Sequence, residues 1–199
     1  MTKLNFNLLD EDSATQAVEI ISRLADENGI DWALVGGLAM NLYGSDRLTK
    51  DIDIIADKLL PMSQDQIVGK LKQGGERYLT ETGKKTVAVD WIIRDDEFKI
   101  LFKQALQESV KINDIPVLTP EWLVILKFIA GRFKDREDAV FLLSKEGLVD
   151  RKLIKQKIID LFGKPAWGLA KHSYQRWFDI ADNKSLEDRR NEAAGYIDS

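Results

Sequence analysis

The chain has 199 residues, 44% of them hydrophobic and 31% charged, which suits one soluble globular domain or a catalytic domain with a helical extension. The formal net charge of -4 argues against a protein that coats nucleic acid by electrostatic attraction alone, although a local basic groove stays open. The absence of cysteine excludes disulfides and thiolate metal sites.

No apolar run approaches the roughly 20 residues that a membrane-spanning helix needs. The N-terminal residues also lack the apolar core of a signal peptide. We therefore expect a cytoplasmic protein without membrane contact.

The first part of the sequence alternates helix patterns with strand patterns. Val18, Ile21 and Leu24 lie at helical spacing, whereas the segment around Ile52 alternates acids with apolar residues as a strand does. The elements predicted here, in chain order, are a helix over 13–28, a strand over 31–35, a helix over 38–43, a strand over 51–56, a helix over 61–72, strands over 78–80 and 86–93, a helix or loop over 98–108, and a strand-like segment over 111–118 with a turn at Asn113-Asp114.

From Thr119 the pattern changes to successive helices. Thr119 provides a hydroxyl cap, and Pro120 and Glu121 suit the first turn of a helix. The further predicted helices begin at Asp135, run from Asp150 to Gly163, and run from Pro165 to about Ala181; residues from about Ser185 on are predicted to be loosely held.

These patterns predict a mixed α/β fold of the α+β class, with a mixed sheet flanked by helices and followed by a helical C-terminal region. We place the α/β domain at residues 1–118. The helical region, at residues 119–199, is predicted to pack on it.

The segment Asp51-Ile52-Asp53-Ile54 carries the most informative chemistry. Because side chains alternate along a strand, Asp51 and Asp53 share one face and the isoleucines share the other. Two half-buried carboxylates repel each other unless a cation joins them, and Mg²⁺ prefers such oxygen ligands together with substrate phosphates. The alternative is an edge strand with solvated acids, which a lone Asp-x-Asp more often indicates.

A glycine pair precedes these acids and makes a metal site more favoured than an edge strand with solvated acids. Gly36 and Gly37 lie between a predicted strand and a predicted helix, where free backbone N–H groups can receive a phosphate. The spacing matches neither the dinucleotide fingerprint nor the P-loop. Arg47, Thr49 and Lys50 follow, and the two basic side chains suit phosphate oxygens or, alternatively, a solvated surface.

A third acid interrupts an apolar strand pattern. Asp90 shares its predicted face with Ala88 and Ile92, so burying it is costly unless a metal or a hydrogen-bond donor meets it. We interpret Asp90 as a third metal ligand and as an acceptor for the proton of an attacking hydroxyl. An acid that reaches solvent at a sheet edge is the alternative.

These residues resemble the signature of the nucleotidyltransferases of the DNA polymerase beta superfamily. In that signature a Gly-Gly or Gly-Ser turn precedes an Asp-hydrophobic-Asp strand by a spacer, here of thirteen residues, and a third acid follows on a later strand. The resemblance implies that Gly36 and Gly37 form the turn on the phosphate side and that Asp51, Asp53 and Asp90 bind metal. Arg47-x-Thr49-x-Asp51 resembles the form found in minimal bacterial and toxin-related branches.

A second segment resembles a block of the abortive-infection toxin group, the AbiEii-like branch. It runs from Leu126 to Asp138 with the sequence LKFIAGRFKDRED. The resemblance implies a functional role for Lys127, which we expect to contact phosphate; a lysine reaching solvent from the helix edge is the alternative. Two interpretations stay open for Asp135 and Asp138. They have a functional role, or they form a helix cap and a first-turn acid.

The resemblance implies an Mg²⁺-dependent nucleotidyltransferase that uses two metal ions, with Mn²⁺ as a substitute. It would bind a nucleoside triphosphate through Gly36, Gly37, Arg47, Thr49 and Lys127. The acceptor stays open among a small molecule, an RNA 3′ end and a protein.

Two other function classes stay open. The first is a catalytically idle module that binds nucleotide or an antitoxin-like protein. The second is a phosphohydrolase with Asp51 as its nucleophile, but sites of the haloacid dehalogenase type expect Thr or Gly soon after the second aspartate, and Ile54 and Ile55 follow here.

Overall fold

The structure is a computed structural model that describes residues 8–183. The chain divides into two compact units, one ending at Thr119 and the other starting at Pro120. The elements of the first unit are the helices α1 (Glu11–Glu27), α2 (Gly36–Leu42) and α3 (Lys99–Gln107) and the strands β1 (Trp32–Val35), β2 (Asp51–Ala56), β3 (Ile67–Lys70), β4 (Gly75–Glu81), β5 (Thr86–Ile92), β6 (Val110–Ile112) and β7 (Ile115–Val117).

The seven strands form one mixed sheet in the order β3-β4-β5-β2-β1-β7-β6. Strand β2 is parallel to β5 and β1 is parallel to β7, while the other neighbours are antiparallel. Helix α2 packs against β1 and β2, and α3 packs against β2. The predicted mixed α/β fold is confirmed.

The sheet is held by apolar side chains at its centre. Leu34, Ile52, Ile54 and Trp91 are completely buried, and burying a side chain of this size contributes about 1.5–3 kcal/mol. The Trp91 indole also donates a hydrogen bond of 2.8 Å to the Lys58 carbonyl oxygen, so its polar atom is satisfied in the core. This packing fixes β2 and β5 side by side.

The predicted helix over 61–72 is wrong. The structure has a single 3₁₀ turn at Gln64–Gln66, followed by β3, which pairs with β4 at the edge of the sheet. Ile67 and Leu71 have helical spacing, but the backbone hydrogen bonds offered by β4 decide the conformation. Gly75 begins β4 with φ of 92°, and a Cβ there would lie 2.0 Å from the Trp91 carbonyl oxygen, so only glycine fits.

The second unit is helical within its described residues. Its elements are α4 (Pro120–Ala130), α5 (Phe133–Ser144) and α6 (Arg151–Ala181). Helix α6 breaks at Gly163, where φ is 82° and ψ is 167°. The break lies between the two helices that the sequence predicts for this segment. The prediction for residues from Ser185 on lies outside the described residues.

An aromatic cluster holds α4 against α6. The Phe128 and Tyr174 rings stack with their centroids 4.0 Å apart, and Trp167 and Trp177 pack on Tyr174 at 5.7 and 6.1 Å. Tyr174 is almost completely buried, and its burial raises the pKa of its hydroxyl. Trp167, Tyr174 and Trp177 of α6 therefore serve packing.

None of the helices in residues 8–183 combines the length with the apolar character that crossing a membrane requires.

Candidate active site

The three predicted acids lie on two neighbouring parallel strands. Strand β2 carries Asp51 and Asp53, and β5 carries Asp90 directly beside Asp53 in the strand register. Asp51 and Asp53 are half-buried, whereas the alternating Ile52 and Ile54 are completely buried. The alternation predicted for β2 is therefore present, and it points both aspartates away from the apolar core.

Arg77 connects two of these acids. Its Nε donates to Asp90 Oδ1 at 2.5 Å and its Nη2 to Asp90 Oδ2 at 2.9 Å, while Nη2 also donates to Asp51 Oδ2 at 3.1 Å. These hydrogen bonds to Asp90, opposed by burial and reinforced by the charges of all three acids, raise the pKa of the Arg77 guanidinium. Asp90, only 8% exposed, thus receives the donor that its burial requires.

Gly36 lies directly beneath the Asp53 carboxylate. Its φ is 63°, and a Cβ built on it would lie 1.9 Å from Asp53 Oδ2. Both the backbone conformation and the close approach of the carboxylate therefore require glycine at the start of α2.

Gly37 faces the loop that precedes β2. A Cβ on Gly37 would lie 2.6 Å from Thr49 Oγ1 and 3.3 Å from Arg47 Nη2. Thr49 is buried and donates from Oγ1 to the Asp51 carbonyl oxygen at 3.0 Å, which fixes the entry into β2. The structure thus brings the glycine turn, Arg47, Thr49 and the acids into one region of the first unit.

The arrangement of the acids decides how a metal ion would fit. In the part of the chain that the structure describes, no three His, Cys, Asp or Glu side chains form a group that could hold a metal ion as they stand. Two of the three acids, Asp51 and Asp90, accept hydrogen bonds from Arg77. The donor chemistry still fits Mg²⁺, because Asp51, Asp53 and Asp90 supply only carboxylate oxygens.

A cleft of about 990 Å³ runs beside α1 and α2. Leu34, Leu38 and Leu42 give it an apolar lining, and seven carboxylates and two arginines, Arg23 and Arg47, also line it. The excess of carboxylates disfavours a polyanion in the cleft unless cations accompany it. Its lining includes Arg47 and Thr49, which border the glycine turn.

Lys127 lies in the second unit, in a buried ion cluster. Its Nζ is 3.3 Å from Asp135 Oδ1 and 2.5 Å from Asp138 Oδ2, and the whole residue is only 7% exposed. Asp135 also accepts from the Arg132 backbone N–H at 3.2 Å, which makes it a capping residue at the start of α5. The nucleotide contact predicted for Lys127 stays a prediction.

We expect acid to weaken this cluster. Burial raises the pKa of Asp135, but the hydrogen bonds from Arg132 and the charge of Lys127 outweigh it, so the pKa falls below the ordinary 3.8. When the pKa of a carboxyl is lower in the folded than in the unfolded protein, its charge stabilises the fold at any pH above the unfolded pKa. This stabilisation is lost as the pH falls through the folded pKa. Urea unfolding followed by circular dichroism should show stability falling below pH 3.8. The Asp135→Asn variant should show a shallower fall, and an equal fall in both proteins would contradict the assignment.

Sequence reasoning missed Arg77. The strand predicted over 78–80 is too short to include it, whereas β4 begins at Gly75 and places Arg77 opposite Asp90. The available signal was an arginine next to Tyr78 within a strand-forming stretch. The identity of its partner depends on the register between β4 and β5.

Comparisons with known proteins identify a similar family. Residues 20–113 match the family model of the nucleotidyl transferase AbiEii toxin of type IV toxin–antitoxin systems. This range includes the glycine turn, the three acids and Arg77, whereas Lys127 lies beyond it. A search of curated proteins found no match.

One of the solved structures with low sequence identity to this chain shares its fold. A candidate nucleotidyltransferase from Helicobacter pylori has a TM-score of 0.51 and 14% identity over 94% of this chain and 99% of its own. An antigenic nucleotidyltransferase-like protein from Paracoccidioides brasiliensis has a TM-score of 0.48 and 17% identity over 82% of this chain and 94% of its own. The resemblance seen in the sequence is confirmed: residues 20–113 match the model of the AbiEii nucleotidyl transferase family.

Proposed function

We propose that the protein transfers a nucleoside monophosphate from a nucleoside triphosphate to an acceptor hydroxyl. The observation that carries this proposal is the convergence of Asp51, Asp53 and Asp90 on adjacent parallel strands beside the Gly36 turn. The family match over residues 20–113 supports the same class of reaction.

In the proposed reaction the acceptor oxygen attacks the α-phosphorus. A bond forms between that oxygen and phosphorus, the bond from phosphorus to the oxygen that bridges to the β-phosphate breaks, and pyrophosphate leaves with the bonding electrons. The hydroxyl proton passes to Asp90. The backbone of Gly36 and Gly37 and the Arg47 guanidinium bind and orient the triphosphate, so that the reacting atoms are held in line.

Asp51, Asp53 and Asp90 would hold the divalent cations of this reaction, which we propose to be two Mg²⁺ ions with Mn²⁺ as a substitute. When bound, such ions neutralise phosphate charge and favour ionisation of the attacking hydroxyl. The carboxylate oxygens of the three acids support this proposal by their type and by their common location.

The acceptor can be found by radiolabel transfer. The purified chain is incubated with Mg²⁺, each α-labelled nucleoside triphosphate in turn, and a cell lysate fractionated into RNA, protein and small molecules. We expect one fraction to become labelled in step with pyrophosphate release. If no fraction is labelled with any of the four nucleotides while the nucleotide still binds, transfer is refuted.

A second candidate function is a catalytically idle module that binds nucleotide or an antitoxin protein. The observation that favours it is the engagement of Asp51 and Asp90 by Arg77. Calorimetry with nucleoside triphosphate and Mg²⁺ separates the two functions: tight binding without label transfer supports the module.

Gly36→Ala should abolish nucleotide binding. The new Cβ would meet Asp53 Oδ2 at 1.9 Å, so the carboxylate must turn away, and the positive φ adds about 1–2 kcal/mol of strain. The matched control is Gly44→Ala, where φ is 84° and no atom lies within 4 Å of the new Cβ. Gly36→Ala should lose more stability in urea than Gly44→Ala, because its new Cβ would also lie 2.7 Å from Asp53 Cβ. At a urea-free condition where circular dichroism shows both variants folded, only Gly36→Ala should lose calorimetric binding of nucleoside triphosphate. Equal binding by the two variants would contradict the role of the turn.

A further inference from the structure

We propose that Arg77 is a positioning residue of this site: it orients the Asp90 carboxylate, and its charge limits how tightly divalent cations bind to the acids. The inference rests on the proposed nucleotidyl transfer. It concerns a residue on β4, outside the glycine turn and outside the strands that carry the acids.

The strand register places Arg77 for this role. In the antiparallel pairing of β4 with β5, Arg77 stands directly opposite Asp90, and side chains at such positions lie on the same face. Its Nε and Nη2 reach the two different oxygens of Asp90 at 2.5 and 2.9 Å. A two-point contact of this kind fixes both the position and the rotation of the carboxylate.

The Arg77 guanidinium also connects the two strands that carry the acids. Nη2 of Arg77 lies 3.1 Å from Asp51 Oδ2, so a single nitrogen bonds to an acid on β2 and to an acid on β5. Arg77 therefore lies between carboxylates that would otherwise repel each other.

Burial indicates that Arg77 acts by charge and orientation more than by packing. Its side chain is 41% exposed, whereas that of Asp90 is 12% exposed. Replacing Arg77 therefore opens no cavity in the core, and we expect its variants to fold.

The charge balance predicts the direction of the effect. The three acids carry a formal charge of -3, and Arg77 reduces the total to -2. Removing the arginine makes the site more negative, so a divalent cation should bind more tightly by roughly tenfold, the size of a Coulomb term at a partly solvated position. Catalysis should nevertheless slow, because Asp90 loses its fixed orientation.

Two variants separate charge from orientation. Arg77→Met removes both, whereas Arg77→Lys keeps the charge but loses the two-point contact. With Mn²⁺ alone as the calorimetric probe, we expect Arg77→Met to bind roughly tenfold more tightly and Arg77→Lys to stay within about threefold of the unmodified chain. Both variants should lose roughly a hundredfold in kcat. Arg176→Met, which removes an exposed arginine from α6, is the control and should change neither quantity.

The metal titration is independent of turnover. If the unmodified chain transfers no nucleotide to any acceptor, the proposed function fails, but tighter Mn²⁺ binding by Arg77→Met still supports the charge role of Arg77. Unchanged or weaker Mn²⁺ binding by Arg77→Met overturns the inference, as does an absence of Mn²⁺ binding by all variants. If circular dichroism shows that Arg77→Met is unfolded, Arg77→Gln takes its place in the Mn²⁺ titration. Tighter binding by Arg77→Gln then supports the inference, and unchanged or weaker binding overturns it.

Discussion

Replacing Asp51 and Asp53 together by asparagine should reduce pyrophosphate release by roughly a thousandfold or more and remove the Mg²⁺ dependence of nucleotide binding. Asparagine keeps the size of each side chain but removes its charge, so β2 should persist while the cation ligands are lost. Both side chains point away from the buried isoleucines of β2, and the core should therefore be undisturbed. Pyrophosphate release is measured with a coupled assay, and binding is measured by calorimetry with and without Mg²⁺.

The matched control removes two acids from the surface of the same unit. Asp65→Asn together with Asp95→Asn changes the net charge by the same amount, and both residues are exposed. We expect this variant to keep full turnover. If Asp51→Asn with Asp53→Asn also keeps full turnover, the three acids are not the catalytic centre and the proposed reaction is wrong.

The local chemistry of the site could be predicted from the sequence because it depends on short-range geometry. Alternation along β2 places Asp51 and Asp53 on one face whatever the rest of the fold does. A glycine pair between a strand and a helix indicates a turn in which a side chain cannot be accommodated, and the approach of Asp53 to Gly36 is the structural reason.

Features that depend on strand pairing could not be predicted in the same way. Whether residues 67–70 form a helix or a strand is decided by the free edge of β4, which lies outside the segment itself. Arg77 acquires its partner only through the register between β4 and β5. A single sequence carries the propensities of each segment, but the register follows from the packing of the whole sheet.

Lys127 shows how one sequence feature can support two explanations. A lysine among apolar residues of α4 indicates a specific partner, which the resemblance identifies with phosphate. The structure supplies Asp135 and Asp138 as partners, eight and eleven residues further along the chain. The buried Lys127 ammonium therefore has hydrogen-bond partners without any ligand.

Replacing Lys127 by methionine should therefore lower the free energy of unfolding by about 3–5 kcal/mol, the usual consequence of removing one partner from a buried ion pair. Two carboxylates would stay behind in a nearly dry environment, since Asp135 is completely buried and Asp138 is 7% exposed. Urea unfolding followed by circular dichroism measures the change. Lys134→Met is the matched control, because Lys134 is exposed on α5, and its effect should stay within about 0.5 kcal/mol.

A second measurement separates the structural role of Lys127 from phosphate binding. If the ion cluster is its main role, Asp138→Asn added to Lys127→Met should restore part of the lost stability, because it removes the repulsion between the Asp135 and Asp138 carboxylates. A lysine that mainly contacts phosphate predicts the opposite pattern: stability close to that of the unmodified chain and a raised KM for the nucleoside triphosphate. A gain that appears only when Lys127 is also replaced, and not in Asp138→Asn alone, shows that the two positions are coupled.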